Sequence, residues 1–179
     1  MSSVTFFLSA TPLKNRPNPH DKIVSVNEAL KLGVNITHDF LLSENFDKDK
    51  PGVILVSDRE INFNLDTGEI TDGDFDDDFG IFLAEKPYSV NSNKDYFALF
   101  EITRYTKSRG EKIIEYIKDN LPPYGEIEFS KAWLGNETNK NLITTIIHIN
   151  ELTAEHIEKL INYDVCKEPQ ADYCLIIKP

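Results

Sequence analysis

Tyr96-Phe-Ala-Leu-Phe-Glu-Ile-Thr-Arg-Tyr-Thr106, followed by Ser108-Arg-Gly-Glu-Lys-Ile-Ile-Glu-Tyr-Ile117, changes its hydrophobic period midway. The first part alternates and is aromatic, which predicts a half-buried strand. In the second part Ser108 and Glu111 have capping-box spacing. Ile113, Ile114, Tyr116, Ile117 and Leu121 then recur at helical period, and Pro122-Pro123 stops the helix.

Toward the C-terminus, Glu126–Leu134 predicts a strand with Ile127, Phe129 and Lys131 on one face. Gly135-Asn136 opens a turn, and the β-branched Leu142–Ile149 predicts the next strand. Thr153 is placed to cap a helix reaching Tyr163, with Ile157, Leu160 and Ile161 inward. Tyr173–Ile177 predicts a last strand. The order from residue 95 is β-α-β-β-α-β, the ferredoxin-like order, which implies a four-stranded antiparallel sheet with two helices on one face. The expected fold class is α+β, with a mainly antiparallel sheet and a few helices.

Toward the N-terminus, Thr5–Ala10 predicts a strand, and Ser25 with Glu28 predicts a short helix ending at Gly33. Gly52–Ser57 is a compact apolar run, the pattern of a buried strand. Ile61–Leu65, Asp66-Thr67-Gly68 and Glu69–Thr71 predict a hairpin, and Phe79–Ala84 another apolar segment. Residues 1–94 are expected either to form a lobe apart from 95–179 or to extend the same sheet as one continuous domain. Asn91–Lys94 is the candidate boundary.

The 179 residues carry 30 Asp and Glu against 19 Lys and Arg, a net charge of −11. Asp39–Glu85 alone holds fourteen acids and three bases, so the remainder is charge-balanced. An acidic chain is a poor direct ligand for nucleic acid or for an anionic membrane surface. No apolar run approaches the roughly 20 residues of a membrane helix. The segment Met1–Leu8 lacks the basic region of a signal peptide and is read as the first strand. Two cysteines, Cys166 and Cys174, make no disulfide framework, so the expected compartment is the cytoplasm.

The run Asp72-Gly-Asp-Phe-Asp-Asp-Asp78 supplies acids at positions 1, 3 and 5 of a calcium loop. Such a loop also needs Gly at position 6 and Glu at position 12. Asp77 and Leu83 stand there, so that motif fails. Three readings stay open: a solvated loop, a non-standard divalent-cation site, and a recognition surface for a basic partner. Asp66, Glu69, Asp72, Asp74, Asp76, Asp77 and Asp78 crowd into 13 positions without a base. Such crowding opposes folding, while Phe75 and Phe79 supply apolar anchors between the charges. These nine residues form the expected partner-binding site.

No catalytic or metal-ligating set is expected. His20, His38, His148 and His156 lack ligand spacing. Cys166 has mixed-charge neighbours, and Cys174 alternates within the last strand. The chain has no GxSxG, GxxxxGK[ST] or GxGxxG motif. Trp133 is expected at least half in the core, or flanking a groove with Tyr124. Arg104, Lys107, Arg109 and Lys112 form a basic patch expected to balance acids within the chain.

The chain resembles the small acidic immunity proteins of bacterial polymorphic-toxin and contact-dependent growth inhibition systems. The resemblance is one of size, acidity and α+β strand order. It rests on Asp39-Phe-Leu-Leu-Ser-Glu-Asn-Phe-Asp47, on Asp72–Phe79, on Glu126-Ile-Glu-Phe-Ser-Lys-Ala-Trp-Leu-Gly135 and on His148-Ile-Asn-Glu-Leu-Thr153. It implies a non-enzymatic inhibitor, without cofactor, that binds one cognate toxin. Nuclease toxins bind polyphosphate through basic clefts, which an acidic patch would reach quickly and cover. The alternatives are a carboxylate-rich divalent-metal-binding protein or hydrolase, and a general cytosolic interaction module.

Overall fold

The computed structural model describes residues 3–59, 61–68, 70–73, 75–87, 90, 92–133, 141–166 and 171–179. In chain order the elements are β1 (Ser3–Ser9), β2 (Asp21–Val24), α1 (Val26–Lys31), α2 (Asp39–Leu42), β3 (Ile54–Ser57), β4 (Asn62–Phe63) and β5 (Ile70–Thr71). Then follow β6 (Gly80–Ala84), β7 (Tyr96–Glu101), α3 (Lys107–Asn120), β8 (Ile127–Trp133), β9 (Asn141–His148), α4 (Ala154–Ile161) and β10 (Ala171–Lys178). The class is α+β. Among the described residues no helix is long and apolar enough to cross a membrane.

Two compact units emerge: Met1–Asn18 with Asp74–Pro179, and Pro19–Gly73. The division departs from the expected boundary at 91–94. β1 and β6 belong to the same sheet as the strands that follow residue 95, because β1 lies between β7 and β8.

The sheet of the first unit has the order β6-β7-β1-β8-β10-β9. Four of its ladders are antiparallel, and β9 pairs with β10 in parallel. The predicted β-α-β-β-α-β element order is present, but the pairing is not that of a ferredoxin-like unit. β10 stands between β8 and β9, so those two consecutive strands form no hairpin. β1 splits β7 from β8.

Period-two alternation sends Phe7, Ala98, Phe100, Ile127, Phe129, Tyr173, Leu175 and Ile177 to one face, where Ile113, Ile117, Ile157 and Leu160 of the two long helices cover them. Phe7 stacks on Phe129 at 4.1 Å between ring centroids, and Phe100 meets both rings edge-on. Each such buried ring contributes about 1.5–3 kcal/mol. The opposite face holds a smaller cluster of Phe6, Leu8, Phe97 and Ala132.

The cap of α3 is Thr106, whose side chain accepts the Arg109 N–H at 3.2 Å. The cap therefore sits two positions before the expected Ser108, and no capping box forms there. At α4, Thr153 is the expected cap, and His156 Nδ1 accepts its backbone N–H at 3.2 Å.

In the second unit, α1 carries the predicted capping box between Ser25 and Glu28. β2 pairs antiparallel with β3, and β4 with β5. The expectation that Gly52–Ser57 is buried does not hold. Among the described residues β3 has one partner strand, and it alternates half-buried and exposed, with Leu55 62% exposed. The helices of this unit span six and four residues, too little apolar surface to cover both faces of a sheet. β2 and α2 carry no sequence signal that predicts them.

Candidate functional site

Asn64 Oδ1 accepts the backbone N–H groups of Asp66 and Thr67, at 2.9 and 3.2 Å. This closes the turn between β4 and β5, with Gly68 at φ 70°. The turn leaves Leu65 and Asp66 in solvent. Asp72, a few residues on, is fully buried.

Residues 75–79 belong to the other unit and are fixed there by cations. Arg109 Nε donates to the Phe75 carbonyl at 2.7 Å. Its Nη2 lies 3.3 Å from Asp78 Oδ2, and neither side chain is exposed. Asn18 Nδ2 donates to Asp78 Oδ1 at 2.6 Å. Arg16 donates to the carbonyls of Phe79 and Asp77, and its guanidinium sits 3.6 Å from the centroid of the buried Phe79 ring. Burial lowers the Arg16 pKa, and the Asp77 charge opposes that shift. Lys112 is raised, first by its hydrogen bond to Glu115 and further by the charges of Asp76 and Asp77.

The expected site therefore separates. Asp66, Phe75 and Asp76 face solvent and Asp77 is half-buried. Asp72, Asp78 and Phe79 point inward and offer no surface to a partner, a correction to the expected set. For Asp78 the physical reason is the buried Arg109, since a desolvated guanidinium needs a carboxylate, and Phe79 packs under the Arg16 guanidinium. Glu69 and Asp74 lie outside the described residues. Arg109, singled out as part of a basic patch, does balance an acid within the chain.

Sequence reasoning missed the apolar exposure of Pro19–Gly73. The unit has eleven acids and five bases. Nine large hydrophobic side chains are exposed there, while Val26 and Ala29 are its only fully buried apolar residues among those described. Ile23 and Leu55 lie directly opposite each other on β2 and β3, at 65% and 62% exposure. Their ladder neighbours on the same face are Asp21 and Ser57. Arg59 pairs with Asp21 at 2.5 Å, and Asp58 with His20 at 2.9 Å. Around α2, Phe40 is 69% exposed and meets Phe46 edge-on, with Asp39, Glu44 and Asp47 in solvent nearby in sequence. The available signal was negative: 55 residues without one long amphipathic segment cannot hide their own apolar side chains.

Elsewhere, an open groove of about 660 Å³ in the sheet unit is lined by Thr5, Glu101, Arg104, Tyr105, Lys131 and Asn162 among others. Lys131 donates to the Ile161 carbonyl at 2.5 Å, and burial lowers its pKa. Among the described residues no three His, Cys, Asp or Glu side chains converge as metal ligands do. Cys166 is exposed; burial raises the Cys174 thiol to about 11.

In comparisons with protein families, with curated proteins and with solved structures, nothing matches the chain.

Proposed function

We propose that this chain is a non-enzymatic immunity protein that binds and neutralises a basic bacterial toxin in the cytoplasm, the toxin being a nuclease. The observation that carries the reading is the composition of the Pro19–Gly73 surface. Exposed Ile23, Leu55, Phe40, Phe63 and Leu65 supply apolar anchors, and eleven acids against five bases give the unit a net negative charge. Ile23 and Leu55 adjoin across the β2–β3 ladder, and apolar exposure on a small unit costs solubility and is retained where a partner covers it. Apolar anchors at the centre with charge at the rim are the anatomy of a protein interface. A negative rim selects a positive partner and accelerates encounter. Nuclease clefts are positive because they hold phosphates.

This moves the expected interface from Asp66–Phe79 to the unit that precedes Asp74, with Asp66 retained. The test is a titration of nuclease activity. A basic nuclease domain encoded beside this chain is mixed with increasing amounts of it, and cleavage of plasmid DNA is followed. Cleavage should stop at equimolar chain. An Ile23→Ser, Leu55→Ser double variant should need a large excess. Undiminished cleavage at saturating wild-type chain rejects the reading.

A further inference from the structure

The sheet of the first unit ends on two strands that are treated differently. At the β6 edge, Arg16 makes a backbone bridge with Ile81, and Asn15 Oδ1 accepts the Leu83 N–H at 3.3 Å. The chain covers that edge itself. At the other end lies β9, Asn141-Leu-Ile-Thr-Thr-Ile-Ile-His148. It pairs with β10 on one side, and among the described residues nothing pairs with its outer side. The strand is eight residues long and lacks Asp, Glu, Lys, Arg and Pro, in a chain that is 27% charged. Those are the residues with which natural edge strands prevent pairing. Leu142 and Ile146 are 61% and 63% exposed, and Ile143 is exposed as well.

We propose that β9 is a dimerisation edge, taken by β9 of a second copy of this chain in antiparallel register centred on Thr144. The register follows from parity. A two-fold axis normal to the sheet keeps each face on its own side, so facing residues must both be even or both odd. Centring on Thr144 sets Leu142 opposite Ile146 twice and Thr144 opposite itself. The two most exposed apolar side chains of the strand then cover each other. On the helix-bearing face Ile143 meets Thr145. Centring on Thr145 would instead place Leu142 against His148. No register between the described residues of the two strands brings like formal charges together, although each chain is strongly acidic. A second β9 is therefore a partner the edge accepts without electrostatic penalty at the seam. Repulsion between the two acidic bodies acts at longer range and is screened by salt.

The experiment measures mass and register on the full chain. Light scattering after size exclusion should give twice 20.5 kDa, with the dimer fraction rising with salt. Thr144→Lys, which sets two ammonium groups across the axis, should return the mass to one chain while leaving the circular dichroism unchanged. Residues facing one another across an antiparallel pair have Cα atoms about 4.5–5.5 Å apart, within the about 4.4–6.8 Å that a disulfide spans. In a Cys166→Ser background, Thr144→Cys should therefore crosslink to a dimer on oxidation. Leu142→Cys should crosslink only when mixed with Ile146→Cys. A wild type of 20.5 kDa at all concentrations and salts overturns the proposal. So does a dimer that survives Thr144→Lys, or crosslinking at Thr145→Cys in place of Thr144→Cys. If the lysine variant does not fold, the cysteine pattern alone decides.

Discussion

Arg109 Nη2 lies 3.3 Å from Asp78 Oδ2 in a site that excludes solvent from both side chains. The guanidinium also donates through Nε to the Phe75 carbonyl and through Nη1 to the Arg104 carbonyl, and Asn18 donates to the other carboxylate oxygen, Asp78 Oδ1. Charge at the end of the acidic run is thus structural, and charge two residues earlier is not. Removing one partner of a buried pair leaves the other uncompensated and costs about 3–5 kcal/mol. Arg109→Ala and Asp78→Ala should each lose that much in urea denaturation. Asp76→Asn, at an exposed position, should stay within about 0.5 kcal/mol of wild type. Equal effects at Asp76 and Asp78 would contradict this division of the run.

Gly110 occupies the first turns of α3 beneath the Tyr105 ring, and a Cβ there would collide with the ring and its hydroxyl. That hydroxyl donates to the Ala154 carbonyl at 2.6 Å, which ties the approach to α3 to the start of α4. Burial, aided by the charges of Glu158 and Glu111, pushes its pKa up to about 12, so it remains a donor at neutral pH. Alanine at position 110 would gain about 1 kcal/mol of helix propensity. Overpacking costs about 1–3 kcal/mol, and the displaced hydrogen bond about 1 kcal/mol more. Gly110→Ala should therefore destabilise by about 1–3 kcal/mol net. Placing it in a Tyr105→Ala background should turn it stabilising, and a double-mutant cycle reads the difference.

Much of this was legible from residue 96 onward, where each element has its own signal. Alternation of Phe97, Leu99 and Glu101 against Ala98 and Phe100 fixed a strand, and Ile113, Ile114 and Ile117 fixed a helix face. Pairing was not legible. Nothing local in Ser3–Ser9 says that it enters between β7 and β8, because strand partners are chosen by non-local burial. Phe7 stacking on Phe129 is one such contact, across more than a hundred residues. The candidate site was half legible. The charge excess points to the same part of the chain as the exposed apolar side chains, but identical Asp residues carry no mark of which is buried. Asp78 is inward because Arg109 is, and that pairing joins segments far apart in the sequence of one unit. Leu55 reads as core because apolar runs usually are, and its ladder partner Ile23 carries no signal of its own. Only the shortness of their neighbours leaves them in solvent.

Glu126 and Glu128 flank Ile127 and respond to pH in opposite senses. The Lys94 hydrogen bond, 2.8 Å long, holds Glu126 below its ordinary value of 4.5, with the Lys94 and Lys178 charges adding to it. Its stabilising contribution is thus present above 4.5 and lost as pH falls through the lowered folded value. Burial raises Glu128 above 4.5, against the opposing Ser92 hydrogen bond. The folded state then holds that proton more tightly, so stability declines as pH climbs from 4.5 through the raised value. At pH 7 Glu126→Gln should melt below wild type and Glu128→Gln above it. Both differences should shrink toward zero in acid. Melting curves at a series of pH values check this, and a shift of the same sign for the two variants would refute the assignment.

Association with a basic nuclease should separate the charged and apolar parts of the Pro19–Gly73 surface kinetically. Rim charges act while the partners are still apart, where a negative surface steers a positive one and raises the association rate. Asp39, Asp47, Asp49 and Asp66 are exposed in that unit. Changing all four to Asn should slow association about tenfold at low salt and flatten its salt dependence, with little change in dissociation. Ile23 and Leu55 act only once water has left the interface. Serine at both should leave association near wild type and speed dissociation, each truncation costing about 1–2 kcal/mol if it is an anchor. Surface plasmon resonance at several ionic strengths measures both rates. A quadruple Asn variant that associates as fast as wild type would remove the acidic rim from the interface. Unchanged dissociation of the serine variant would remove the β2–β3 face, and loss of binding on altering Asp76 alone would return the interface to the segment fixed by Arg109.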